Sequence, residues 1–183
     1  MQQANAVYDN CIILVPSKGE ADSLLQDGYG HLGEKRRYIL EPYEALYLVE
    51  KERLMIIEEK ERRILSFQEI LTRELANDEL LWTRYIIYRD IRGRGFVAKA
   101  TTKNGVSFSV YERGAYPKKA PSYELYTLVE GMPETLGHIE EMLIEVRDSK
   151  RALKLAVLDR RGEVVYYSLD RLEPERLGAD AFE

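Results

Sequence analysis

The sequence predicts an α+β protein: a small N-terminal mixed α/β domain followed by a C-terminal mixed-sheet domain. Three observations carry this. Short β-prone runs alternate irregularly with helical patterns along the whole chain. Two strong helix starts, Glu41-Pro42 and the capping box Ser66-x-x-Glu69, fall in the first half. In the second half an Asn104-Gly105 turn joins two β-prone runs, the strongest short hairpin signal a sequence offers. With 183 residues, 45% of them hydrophobic, there is enough material for one ordinary domain or two small ones with a buried core. The boundaries read from composition are 1–78, 79–172 and a polar tail over 173–183.

The elements follow in order. Cys11–Val15 reads as a strand, about Gly19 to Gln26 as a polar helix, and Gly28, Gly30 and Gly33 as a turn before a strand at Arg37–Leu40. Pro42 opens a helix with Ala45, Leu46, Leu48 and Val49 on its apolar face. The charged stretch from Glu50 to Arg63 reads as solvated surface around a short strand, Leu54–Ile57. Ser66 then caps a helix carrying Phe67, Ile70, Leu71 and Leu75. From about Glu79 to Arg92 a second helix aligns Leu81, Tyr85, Tyr88 and Ile91 on one face, and Gly93 and Gly95 end it. Strands are expected at Phe96–Thr101, Val106–Tyr111 and Leu125–Val129. A helix opened by Pro133, with Leu136, Ile139, Leu143 and Val146 on one face, precedes the last two strands, Leu153–Leu158 and Glu163–Leu169.

Charge and cysteine usage narrow the function. With 27 basic and 32 acidic residues the formal charge is −5, so contact with a polyanion must be local or belong to a partner. The single cysteine, Cys11, sits in an apolar run, where a packing role is expected, and it cannot form an internal disulfide. No apolar run approaches the ~20 residues that span a bilayer, and no signal-type N-terminus is read. A soluble, cytoplasmic protein is the expectation.

The run Tyr85-Ile86-Ile87-Tyr88-Arg89-Asp90-Ile91-Arg92-Gly93-Arg94-Gly95-Phe96-Val97-Ala98-Lys99, continuing to Val110-Tyr111, resembles the core of the archaeal tRNA-splicing endonuclease family. Glu44-Ala45-Leu46-Tyr47-Leu48 is similar to a helix of that family's N-terminal domain. The resemblance implies a restriction-endonuclease-like C-terminal domain. It also implies metal-free RNA cleavage by attack of a 2′-hydroxyl on its neighbouring phosphate, with a Tyr, a His and a Lys as base, acid and cation. Tyr111 matches the tyrosine. Pro121 stands where the histidine is expected, and a pyrrolidine ring has no proton to give. The lysine position falls near Arg151, with Lys150 and Lys154 beside it. His138 and His31 lie elsewhere in the chain and are read as surface or capping residues.

By that resemblance the chain is expected to be a structural, non-catalytic subunit. It would assemble with a catalytic subunit into a heterotetramer that cuts precursor tRNA at bulge-helix-bulge sites, with no cofactor and no metal. Asp159 and Glu163 match the loop, and Val164, Val165, Tyr166 and Tyr167 the strand, through which such subunits dock. The alternative for the loop is an ordinary hairpin turn with Gly162 at positive φ. Arg92, Arg94, Lys118 and Lys119 are candidate phosphate contacts beside the hairpin. Two other readings stay open. One is a self-sufficient nuclease with a displaced acid. The other is a metal-dependent nuclease, for which Glu58-Glu59-Lys60 is the one E-x-K match and lacks strand context.

Overall fold

A computed structural model describes residues 3–101, 107–131 and 151–169, with single positions 133, 135, 137 and 144 between the last two stretches. The Asn104-Gly105 turn, His138, Lys150, most of the segment read as the Pro133 helix and the tail lie outside the described residues. The architecture is α+β, and the described residues include two five-stranded mixed sheets and four α-helices.

The first sheet holds β1 (Ala4–Asp9), β2 (Ile12–Leu14), β3 (His31–Leu32), β4 (Tyr38–Leu40) and β5 (Leu54–Glu58) in the order β3-β4-β2-β1-β5. Only β1 and β5 pair in parallel. The sequence reading missed β1 because two of its three inward positions, Ala4 and Ala6, are small and give a weak alternation signal. It also misplaced Cys11. Asn10 and Cys11 form a two-residue hairpin turn, both at positive φ (45° and 63°), and Cys11 is exposed there instead of packed. In the charged stretch, β5 is no surface strand: Leu54 and Ile56 are fully buried beside β1.

The helices are α1 (Lys18–Gln26), α2 (Pro42–Glu50), α3 (Phe67–Leu75) and α4 (Leu81–Gly93); Ser17 and Ser66 cap α1 and α3, Pro42 stands in the first turn of α2, and α4 begins without a side-chain cap. Ser66 accepts from the Glu69 backbone N–H and Glu69 accepts from the Ser66 N–H, completing the capping box. On α4 the predicted face of Leu81, Tyr85, Tyr88 and Ile91 is buried, joined by Ile86 and Ile87.

The second sheet runs β10-β9-β8-β7-β6, with β6 (Val97–Ala100), β7 (Ser107–Tyr111), β8 (Tyr123–Val129), β9 (Ala152–Leu158) and β10 (Val164–Leu169). Its pairs are antiparallel except β8 with β9.

One hydrophobic cluster spans both sheets, with α2 and α4 inside it. Tyr43 of α2 sits edge-on to Tyr88 of α4 at 4.9 Å and to Phe108 of β7 at 5.7 Å. Since α2 is covered nearly all round, its Glu44 is buried too, a position that helix periodicity alone reads as polar surface. The carboxylate is satisfied there. It accepts from the backbone N–H of Gly30 (2.8 Å) and of Glu41 (3.2 Å), and from Lys99 Nζ of β6 (3.1 Å). Lys99 also donates to the Gly30 carbonyl at 2.8 Å, so one cation ties β6 to both the Gly30 turn and α2. Nearby, Arg92 donates to the Asp27 carbonyl at 2.9 Å and lies 4.1 Å from the Tyr29 ring.

Two outcomes follow from these contacts. Lys99→Met strands a buried carboxylate and is expected to cost about 3–5 kcal/mol, while adding Glu44→Gln recovers most of that loss. Urea midpoints at unchanged slope measure both. For the cap, the Ser66 backbone N–H and the Arg63 guanidinium hold the Glu69 carboxyl down to about 2. A lowered carboxyl stabilises the fold above its unfolded value of about 4.3 and loses that contribution as pH falls towards its folded value. The stability gap between the native chain and Glu69→Gln is therefore expected to close between those limits, read from denaturation midpoints over an acid series.

Candidate active site

The C-terminal end of β7 gathers the residues that matter. Val110 pairs with Tyr123 and Tyr123 with Ala152, so one position further along the same registers Tyr111, Ser122 and Arg151 line up across three strands. Side chains alternate along a strand, which puts Tyr111 on the face that carries Ser109. On that face Ser109 Oγ donates to Glu124 at 2.7 Å and the Arg151 guanidinium pairs with the same carboxylate. Arg151 is thus the cation that the sheet brings towards Tyr111. Lys154 turns to the other face, where its ammonium lies 4.1 Å from the Tyr123 ring.

Pro121 stands at the start of β8, beside Ser122, whose N–H donates to the Val110 carbonyl at 2.8 Å. The residue in the expected acid position is therefore next to the end of β7 and offers no donor there. His31 lies in β3, where its Nδ1 is 3.4 Å from a Glu41 carboxylate oxygen.

Two residues of this region were missed by sequence reasoning. Tyr116 packs edge-on against Tyr111, with ring centroids 5.1 Å apart and planes at 86°. Burial, reinforced by Tyr111 and Glu44, raises its phenol pKa above the usual tyrosine range. Glu124 was the other, and a signal existed: a carboxylate at an inward position of an apolar strand requires a cation. The N-terminal domain backs this region. A Cβ on Gly28, which has φ +82°, would come within 2.5 Å of Val97 Cγ1 and 3.4 Å of Tyr116, so only glycine allows this approach.

The candidate RNA contacts divide. Arg92 is half-buried, with its guanidinium on the Asp27 carbonyl and the Tyr29 ring. Arg94 is more than half exposed and pairs with Asp90 at 2.8 Å. Lys118 and Lys119 are exposed on the loop between β7 and β8.

The candidate docking residues divide as well. Strand β10 is last in its sheet, and its outer edge pairs with no described strand. Val165 and Tyr167 are about half exposed (49% and 54%). Val164 and Tyr166 face the core, and the Tyr166 hydroxyl donates to Asp90 at 2.6 Å. Burial and that hydrogen bond raise the Tyr166 phenol well above its ordinary value. Asp159 Oδ1 accepts the N–H groups of Arg161 and Glu163, both at 2.8 Å, and Gly162 has φ +83°. The Asp159 carboxylate thus holds an ordinary hairpin turn, while Glu163 is exposed.

Among the described residues no group of three or more His, Cys, Asp and Glu is placed to hold a metal ion, and no helix is long and apolar enough to cross a membrane. Contrary to the sequence reading, Glu58 does have strand context, at the end of β5. Arg73 occupies its carboxylate at 2.6 Å, with Arg63 at 3.4 Å.

Comparison with known proteins places both halves of the chain in one family. Residues 4–71 match the family model of the tRNA intron endonuclease N-terminal domain, and residues 81–166 that of the tRNA intron endonuclease catalytic C-terminal domain. The chain is 32% identical over 157 residues to a tRNA-splicing endonuclease of Methanococcus vannielii, covering 81% of this chain and 87% of the relative. It is 30% identical to one of Pyrococcus furiosus, covering 78% and 81%. A third, from Methanothermobacter thermautotrophicus, is 30% identical over 149 residues.

Arg151→Ala leaves the buried Glu124 carboxylate with Ser109 as its remaining partner. A loss of about 1–3 kcal/mol is expected, with Arg151→Lys recovering part of it, read from urea midpoints.

Proposed function

The chain belongs to the tRNA intron endonuclease family, and from that premise we propose that it is a non-catalytic subunit that positions a catalytic partner on precursor tRNA. The observation that carries this reading is Pro121. Cleavage by an adjacent 2′-hydroxyl needs a base for the hydroxyl proton, a cation for the charge on the phosphorane and an acid for the departing 5′-oxygen. Tyr111 can serve as the base and Arg151 can lend positive charge, although Glu124 neutralises part of it. The acid position holds a ring without a transferable proton. Losing one proton-transfer partner typically removes ~10² to 10⁴ in rate, so this site alone is close to silent.

The partner supplies a complete Tyr, His and Lys set, and the assembly is a heterotetramer acting on bulge-helix-bulge sites in the cytoplasm. Docking uses the open edge of β10, with Val165 and Tyr167 outward and Glu163 as the acidic contact of the loop. Asp159 shapes that loop from within. The division near residue 78, giving units 1–78 and 79–172 with a tail over 173–183, belongs to the same proposal. So does a small RNA footprint on Arg94, Lys118 and Lys119.

A second reading, a self-sufficient nuclease, is favoured by one observation: Tyr111 and Arg151 lie in line across the sheet, so two of the three roles have occupants. Precursor-tRNA cleavage by this chain alone, by a histidine-bearing partner subunit alone and by the two mixed separates these readings. Activity in the mixture only is the expected result. Metal-independent cleavage by this chain alone overturns the proposal in favour of the second reading, and cleavage abolished by a chelator and restored by Mg²⁺ overturns both.

A further inference from the structure

The face of the first sheet turned away from α2 carries an apolar band that plays no part in the site above. Directly paired residues of neighbouring strands point to the same side. The pairs Ile39 with Leu14, Leu14 with Val7, Val7 with Ile57 and Ile57 with Ile64 therefore join five aliphatic side chains into one continuous rung. Their neighbours in alternation, Leu40, Ile13, Ala6 and Ile56, are the residues buried in the core on the opposite side. The β2-to-β3 and β4-to-β5 connections both link strands of equal direction. Right-handed crossovers then place α1 and α2 on one common face, and among the described residues no helix crosses the other. Ile64, at the end of the rung, is 60% exposed.

The two ends of this face differ in charge. Arg37 lies two residues before Ile39, and the exposed Lys35 and Arg36 adjoin it in the β3–β4 turn. Asp9 lies two residues after Val7 and Glu59 two after Ile57, and β1, β4 and β5 all run the same way. Glu34 shares the first of these turns and Arg62 lies beside Glu59 in the second, so cations outnumber carboxylates at one end of the band and carboxylates outnumber cations at the other. Lys60 falls on the opposite side by alternation, where it lines a cleft with Arg73 and Glu58.

We propose that this face binds the same face of a second copy of the chain about a two-fold axis. A two-fold axis in the plane of the contact turns one copy over, so the cationic end of each sheet can meet the carboxylate end of the other. A surface with both signs segregated in this way is self-complementary, whereas a nucleic acid would meet the carboxylates unfavourably. Size sets the strength. Five strands spaced about 4.8 Å apart and one band of side chains give an apolar centre of about 300 Å², under half of the about 800 Å² per partner of a standard interface. The polar ends must supply the rest, so the dimer is concentration-dependent and weakened by salt. This contact is separate from the β10 edge and independent of whether the chain is catalytic.

Sedimentation velocity of the full chain over a concentration series tests it. The expected result is a monomer–dimer equilibrium, weakened about tenfold or more by Arg37→Glu at the exposed cationic end. Reversing both ends, with Arg37→Glu, Asp9→Lys and Glu59→Lys together, brings association back. Leu14→Lys abolishes it, with circular dichroism verifying the fold. Monomer at every concentration up to about 200 μM overturns the proposal. So does a dimer that ignores these substitutions and disappears only with Tyr167→Asp on β10.

Discussion

The buried carboxylate of Glu44 is the constraint around which the rest of the molecule is arranged. A charge that far from water is tolerated only when its lone pairs are filled and an opposite charge is close. Two backbone N–H groups and the Lys99 ammonium meet that requirement. The partners come from three places: the Gly30 turn, the first turn of α2, and β6 of the second sheet. Satisfying one carboxylate therefore fixes the position of one sheet relative to the other. The aromatic packing of Tyr43, Tyr88 and Phe108 fills the same joint with apolar surface, and Arg92 closes its far side against Tyr29.

That joint reaches the candidate site through the hairpin. Lys99 and Val97 lie on β6, and Val97 pairs with Tyr111. The close approach of the Gly28 turn to Val97 and Tyr116 supports the hairpin from behind. The framework that would hold a catalytic tyrosine is thus intact, and so is the line of positions leading from it to Arg151. What is changed is chemical. Under the proposal the position assigned to the acid holds proline, and the cation in line with Tyr111 shares its charge with Glu124. Proline at that position is what supports the proposed role of positioning a partner.

Much of the fold was legible in the sequence because its signals were local. The Ser66 capping box, Pro42 at a helix start, the face of α4 and the paired runs of β6 and β7 each announce themselves within a few residues. The misses were non-local. Strand β1 hid behind small alanines, Cys11 was drawn into an apolar run that a tight turn interrupts, and the burial of Glu44 depends on residues far away in sequence. For the site, motif spacing supplied Tyr111 and Pro121 as candidates. The packing of Arg92 on Tyr29 was not legible, because a guanidinium offered to phosphate and one packed on a tyrosine look alike in sequence. Tyr116, and the joining of Ser109, Glu124 and Arg151 into one group, became visible only with the strand register.

In the proposed assembly Tyr111 is not the base of a working site. In the assembled complex with a histidine-bearing partner, the most direct measurement is the single-turnover rate of precursor-tRNA cleavage when this chain carries Tyr111→Phe. The expected rate equals that of the unaltered complex. A fall of ~10² to 10⁴, the usual consequence of removing a proton-transfer group, would contradict it.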